Sequence, residues 1–264
     1  MKVILLGHTQ LSQGFVETIL ESEISEMFFS EDNVWNEEIS DGQVVSLAAI
    51  RECYSYKTAI EVIKTESEKY FGEKGKEGKR LFNHIIKSGH TSTTEHVHFT
   101  FAVEGVSRAL LAQLTRHRHL SFSVQTQSYN KFSSESRSGG FDYVKPQTIN
   151  WESPAFKTYD EAKQIKERNR LIEANEEFEK AMEQIQEAYD KLISLGIPQE
   201  DARSVLPNAA TCNLVTSGNL RAWLEFYKKR KKGEGAQAEI AEFAEHIKKA
   251  IVEVEPWTSE YFEL

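Results

Sequence analysis

The chain is poor in the residues that staple or anchor a protein. Only two of its 264 residues are cysteines, Cys53 and Cys212, far apart and in no Cys-x-x-Cys pair, which argues against a disulfide framework and a thiolate zinc site. A reducing cytoplasm is the expected compartment. No apolar stretch approaches the roughly 18 to 20 residues needed to span a bilayer, and the apolar run in the opening MKVILLGHTQ is too short for the core of a secretory signal. No membrane partner is expected. Positive charge is scarce as well. The formal net charge is −9, whereas nucleic-acid-binding domains gather a cationic excess, so no nucleic-acid partner is expected and any anion must be met by local groups. What remains, 39% apolar and 28% charged residues, suffices for a packed core, and nothing forces a split; one domain over residues 1–264 is expected.

Along the chain, Val3 to Leu6 reads as a short strand, and the polar, acidic stretch from Ser30 to Gly42 as an exposed loop. Leu47, Ile50 and Tyr54 recur at helical spacing, which predicts a helix near residues 44 to 57 with Cys53 on its buried side. The segment GEKGKEGKR at 72 to 80 reads as a glycine-broken charged loop. From His96 the pattern alternates: Val97, Phe99, Phe101 and Val103 share one face of a half-buried strand that Gly105 ends. Ser107 can then cap a helix whose buried stripe is Leu110, Leu111 and Leu114. The next segment, SFSVQTQSYNKFSSESRSGG, reads as a long irregular loop before a strand at Phe141 to Val144. A long helix carries Phe178, Met182, Ile185, Tyr189 and Leu192 and stops at Gly196, with Pro198 opening the next turn. Two more helices are expected, one near 219 to 229 with Leu220, Trp223, Leu224 and Tyr227, and one from Ile240 to Val254 before Pro256.

Five of the eight histidines, at positions 90, 96, 98, 117 and 119, fall within thirty residues, together with Arg108, Arg116 and Arg118. Zinc is one reading, but interleaved guanidiniums repel a dication and no thiolate or carboxylate sits at ligand spacing, so no metal is expected. Ordinary surface and core histidines are another. Anion binding fits better, because guanidiniums at a helix end followed by hydroxyl and amide side chains suit phosphates. In a second basic cluster, Lys228 to Lys232, the four lysines read as a solvated helix end that complements the helix dipole.

The run from Thr115 to Tyr129 contains Arg116-His117-Arg118, then seven residues, then Thr126. It resembles the signature of the flavin-dependent thymidylate synthases, Arg-His-Arg, seven residues, Ser. Gly89 to His96, the stretch HFTFAVEGVSRALLAQL after it, Ala202 to Asn208, Asn219-Leu220-Arg221, Ala236-Gln237 and Pro256-Trp257 are also similar to that family. The resemblance implies an α+β fold, a mixed central sheet flanked by helices, assembled as a homotetramer with FAD where subunits meet. It places His90, Ser92, Glu95, Arg116, His117, Arg118, His119, Asn219 and Arg221 at FAD. It places Gln113, Thr126, Gln127, Ser128, Arg203 and Arg230 at the nucleotide, with Arg230 and Thr126 in catalytic positions. The implied reaction is transfer and reduction of a one-carbon unit from methylenetetrahydrofolate to carbon 5 of dUMP, giving dTMP, with FAD reduced by NADPH. The unrelated synthase class attacks the pyrimidine with a Pro-Cys cysteine, and here neither cysteine follows proline. A fixed guanidinium near a ring carbonyl can polarise the pyrimidine instead.

Departures gather at the nucleotide end. Thr126 stands in place of Ser, Ser128 in place of Arg, Val124 removes a polar side chain, and Glu225 replaces a His or Asn. Losing a charge-assisted phosphate contact at position 128 costs about 1.5 to 3 kcal/mol. Lys131, Arg137 or a lysine of the 228 to 232 run could restore the charge. Alternatively the pocket serves another uracil nucleotide, or the chain is a non-catalytic flavin- and nucleotide-binding paralogue.

Overall fold

A four-stranded sheet in the order β1-β2-β4-β3 organises the molecule. The computed structural model describes residues 1–22, 28, 39–72, 76–128, 132–149 and 161–263. The strands are β1 (Lys2–His8), β2 (His98–Ser107), β3 (Ser121–Val124) and β4 (Thr211–Asn219). Among the described residues all three pairings are antiparallel, so the expected mixed sheet is corrected to an antiparallel one. Alternation on β2 puts Val97, Phe99, Phe101 and Val103 at zero exposure, while Thr100, Ala102 and Glu104 face the other way, partly or fully exposed. The strand does not end at Gly105. That residue takes φ +67°, a conformation open to glycine, and the register shifts between Val103 and Val106 before pairing resumes to Ser107.

Helices cover one face of the sheet. They are α5 (Arg108–Leu114), α8 (Leu220–Arg230) and α9 (Ala238–Val254), the last two close to expectation. Their apolar stripes meet the strands in one cluster containing Phe101, Leu110, Leu214, Trp223, Phe226, Phe243 and Ile247. Trp223 stands edge-on to Phe101 at 5.2 Å, and its indole N–H donates to the Gly218 carbonyl at 3.2 Å. Ser107 links strand to helix as expected. Its Oγ accepts from Leu110 N at 3.0 Å, while its hydroxyl and backbone N–H both donate to the Glu239 carboxylate at 2.5 and 2.8 Å.

The helices before β2 are α1 (Gln13–Leu20), α2 (Asp41–Tyr54), α3 (Ala59–Phe71) and α4 (Lys76–Lys87). Residues 30 to 38 of the expected acidic loop lie outside the described residues, but its end is not an exposed loop: Ile39 is buried and Ser40 caps α2. Glu255, fully buried, ties that cap to the C-terminal segment by accepting from Ser40 Oγ, Gly42 N and Trp257 Nε1. Burial pushes its carboxyl up from the ordinary range. Cys53 is exposed, against expectation, because the buried stripe of α2 ends at Ile50 and the last turn projects past the core. The charged segment at 76 to 80 is helical; residues 73 to 75 lie outside the described residues. Gly78 is buried there for closeness, since a Cβ would come within 2.4 Å of the Tyr70 carbonyl of α3.

Two further corrections concern the segment after α5. Ser121–Val124 is a strand on the sheet edge, although its polar alternation reads as loop. At 141 to 144 only a single bridge forms, Tyr143 to Ala210. The helix α6 (Glu161–Ser194) runs 34 residues and packs Met182 and Phe178 against Phe141 and Tyr143. It is followed by α7 (Gln199–Ala202), with Pro198 at its N-cap as expected. No described helix is long and apolar enough to cross a membrane.

Ser107→Ala removes a helix cap and the hydroxyl donor to Glu239, leaving the backbone N–H bond in place. A stability loss of about 1 to 2 kcal/mol is expected in urea unfolding, and an unchanged midpoint would contradict the linking role of Ser107.

Candidate active site

Strand register decides what meets at each end of the sheet. His98 pairs with Asn219, and Ser121 with Ser217, so the segments around residues 90 to 98, 116 to 121 and 219 to 230 converge at the same end. A cavity of about 340 Å³ opens there, lined by Arg116, His117, Arg118, His119, Glu225, Lys229 and Arg230 among others. The lysines were expected to be solvated. Lys229 is exposed yet contributes to this cavity, and Lys228 to its neighbour.

His117 and Arg230 form the floor. Arg230 donates from Nε to His117 Nε2 at 3.1 Å and from Nη2 to the Gln113 carbonyl at 3.4 Å. His117 therefore carries its proton on Nδ1 and stands edge-on to Phe226 at 4.9 Å. Burial first, then the charges of Arg230 and Lys229, lower its pKa from 6.5 to about 4. It is a neutral acceptor that aims a guanidinium. Arg116, Arg118 and His119 are exposed beside it.

A second cavity, of about 380 Å³, adjoins through shared Glu225 and is lined also by Thr91, Thr94, Arg221, Leu224 and Lys228. Its residues 91 to 96 form a 3-10 turn. Arg221 lies between two carboxylates, donating to Glu95 Oε1 at 2.6 Å and to Glu225 Oε1 at 3.1 Å. These bonds raise its already high pKa, so it stays charged throughout. Asn219 caps α8 by accepting from Ala222 N at 2.9 Å. His90 begins the 3-10 turn, and its Nδ1 lies 2.8 Å from the hydroxyl of Tyr54, a neighbour the sequence reading missed. Ser92 is exposed on the same turn.

The remaining candidates lie elsewhere. Gln125 N bonds the Asn213 carbonyl at 2.8 Å, so Thr126, Gln127 and Ser128 leave the sheet at the start of β4, about 20 Å of strand from Asn219. None of them lines either cavity. There Ser128 N donates to Thr126 Oγ1 at 3.1 Å. Arg203 is exposed, its Nε bonding the Glu200 carbonyl, and it lines neither cavity. Gln113 is near the first cavity by its carbonyl, but its side chain bonds Gln237 at 2.6 Å. Lys131 lies outside the described residues, and Arg137 is exposed on a segment whose Phe132 and Ser134 bond α6. Among the described residues no three or more His, Cys, Asp or Glu side chains cluster closely enough to hold a metal ion.

A guanidinium held on a neutral imidazole, with two exposed arginines beside it, suits a protein that binds phosphorylated ligands. Comparison with known proteins names the family. The sequence profile of the thymidylate synthase complementing protein family matches residues 36–257. A flavin-dependent thymidylate synthase of Haloarcula marismortui is 36% identical over 187 residues, covering 69% of this chain and 74% of that one. A probable flavin-dependent thymidylate synthase of Mycobacterium phage L5 is 30% identical over 98% of this chain and 96% of its own. Among solved structures, the UMP/dUMP methylase PolB of Streptomyces cacaoi, bound with 5-bromo-dUMP, shares the fold at a TM-score of 0.64, with 20% identity over 99% of this chain and 94% of that one. The chain belongs to the thymidylate synthase complementing protein family, the flavin-dependent thymidylate synthases, and is an enzyme of that type or a close variant.

An unfolded imidazole takes up its proton near 6.5, the folded His117 only near 4. Falling pH through that window therefore favours the unfolded chain, and the stabilisation held above 6.5 is lost progressively toward 4. Arg230→Ala should move the His117 imidazole NMR titration upward from about 4 toward 6.5; an unmoved midpoint would show that the guanidinium does not act on the ring.

Proposed function

We propose that the chain transfers and reduces a one-carbon unit from methylenetetrahydrofolate to carbon 5 of dUMP, giving dTMP, in a cytoplasmic homotetramer whose single-domain subunits span residues 1–264. One observation carries the reading: His90, Ser92, Glu95, Arg116, His117, Arg118, His119, Asn219 and Arg221 gather around one end of the sheet, while Thr126, Gln127 and Ser128 leave from the other. Within one chain the two sets do not meet. A second copy that brings its loop to the first copy's cavity completes the site, which supports assembly rather than action as a monomer.

The chemistry of the donors fits FAD. Arg116 and Arg118 supply forked donors for a diphosphate, and a neutral His117 adds no charge of its own. Arg221, held by Glu95 and Glu225, lines the adjoining cavity, and Asn219 caps the same helix. FAD held there and reduced by NADPH as co-substrate would supply the hydride. Everything else falls to side chains. Arg230, aimed by His117 and the Gln113 carbonyl, polarises a uracil carbonyl so that carbon 5 can attack without an enzyme thiolate. Thr126 offers its hydroxyl to the nucleotide, and Gln127 and Arg203 hold the same ligand from the neighbouring subunit.

A second reading, another uracil nucleotide as the substrate, is favoured by Ser128, which removes the family's guanidinium, and by the likeness in fold to a protein described as a UMP/dUMP methylase. Under the first reading Lys229, which lines the cavity, would return the missing charge.

The test is a product assay with FAD, NADPH, methylenetetrahydrofolate and a panel of uracil nucleotides, read by mass for a methylated base. Methylated dUMP is expected, and methylation of UMP alone would transfer the proposal to the second reading. Arg116→Ala should weaken FAD retention at least about tenfold; full retention would place the flavin elsewhere. Ser128→Arg should lower KM for dUMP, and a raised KM would mean that the pocket is shaped for a different nucleotide.

A further inference from the structure

The loop that carries Thr126, Gln127 and Ser128 lines neither of the two site cavities of its own chain, so what holds its ends matters to its course. Upstream, Gln125 is tied three times. Its N–H donates to the Asn213 carbonyl at 2.8 Å, its Oε1 accepts from Asn213 N at 3.3 Å, and its carbonyl accepts from Arg108 Nη2 at 2.9 Å. Downstream, residues 129 to 131 lie outside the described residues, and at Phe132 the long helix α6 takes hold of the chain. Gln186 donates from Nε2 to the Phe132 carbonyl at 2.9 Å and accepts from Phe141 N on Oε1 at 2.9 Å, so one amide closes the excursion from 132 to 141 on the helix. One turn on, Asp190 accepts from Ser134 N at 3.0 Å and from Ser134 Oγ at 2.8 Å, and its Oδ1 also accepts from Gln186 Nε2 at 3.1 Å. Gly140 lets the chain pass this close: it takes φ +123°, and a Cβ would stand 2.8 Å from Gln186 Oε1.

Donor and acceptor in one planar group fix both the place and the direction of the backbone they bind. At about 3.5 Å per residue, the four steps from Ser128 to Phe132 reach at most about 14 Å, so a fixed Phe132 confines Ser128 to that radius. Ordering a loop before it meets its ligand removes an entropy cost from binding. That matters most for a loop that must reach a cavity in a second copy. We infer that Gln186, with Asp190, is a positioning residue for nucleotide binding, its amide holding the 126 to 128 loop where that loop meets the nucleotide. The inference rests on the proposed function in taking the loop to hold a uracil nucleotide. Gln186 acts only through the backbone at Phe132 and Phe141.

Steady-state assays with dUMP and UMP as the varied nucleotides, together with FAD titration and thermal unfolding, test it on wild type, Gln186→Met, Gln186→Glu and Asp190→Ala. Gln186→Met keeps the volume and loses both bonds. It should raise KM for the nucleotide about threefold to tenfold, with a smaller change in kcat and unchanged affinity for FAD. Gln186→Glu still accepts from Phe141 but turns an acceptor toward the Phe132 carbonyl and Asp190, so its KM should rise at least as far. Asp190→Ala, whose ties to Ser134 are exposed, should raise KM in the same direction and carries the test if Gln186→Met does not fold. An amide that is only structural gives a different pattern: a lowered unfolding midpoint with unchanged KM in the folded variant, or a joint fall of kcat and FAD affinity. Either pattern overturns the inference and leaves the proposed function standing. A wild type that methylates neither dUMP nor UMP overturns the proposed function and this inference with it.

Discussion

The pairing of β2 with β4 governs the chemistry of this chain more than any single side chain does. Because His98 lies opposite Asn219 and Ser107 opposite Thr211, the turn before β2 and the helix after β4 share one end of the sheet. The helix α5 carries the chain back to that end, where Arg116 to His119 follow, and β3 returns it to the other. A slip of one residue would turn Phe99, Phe101 and Val103 out of the core together, so burial of that face fixes the register. The convergence of the basic residues is thus a consequence of packing, held by the same aromatic cluster that holds the helices.

Within that frame the electrostatics are local. The chain is acidic overall, at −9, yet the cavity is cationic because a helix end and a turn deliver their arginines to one place. Neutrality of His117 matters as much as charge on its neighbours. A protonated ring could not accept from Arg230 and would repel it, so burial that keeps the ring neutral is what lets the guanidinium be aimed. Glu95 and Glu225 play the complementary part for Arg221, restricting it on both sides.

Much of this was readable from residue order. Strict alternation exposed β2, hydroxyl chemistry marked Ser107 as a cap, and four-and-three spacing gave α8 and α9, because each signal is local and strong. The edge strand β3 was missed because its alternation, Phe122 and Val124 against Ser121 and Ser123, spans only four residues and runs on into a polar stretch. Helix α4 was missed because Gly78 serves close approach to Tyr70, a tertiary reason that resembles a breaker in sequence. Cys53 was misplaced for want of knowing where the core ends along α2. The Arg221 and Glu225 pair was visible in principle, four apart on a helix, whereas Tyr54 beside His90 joins residues 36 apart and no spacing rule reaches it. The candidate site residues stand out as a motif, but the separation of the 126 to 128 loop from the basic cavity follows only from register.

Sharing of the site between subunits is the central claim, and complementation tests it most directly. Arg116→Ala impairs the cavity end and Gln127→Ala the loop end, so each variant alone should lose most of its activity. Unfolded together and refolded into mixed oligomers, they should regain activity, because some sites then combine an intact cavity with an intact loop. A mixture as inactive as its components, once mixed assembly is verified by mass, would show that each chain uses its own loop and would contradict the account.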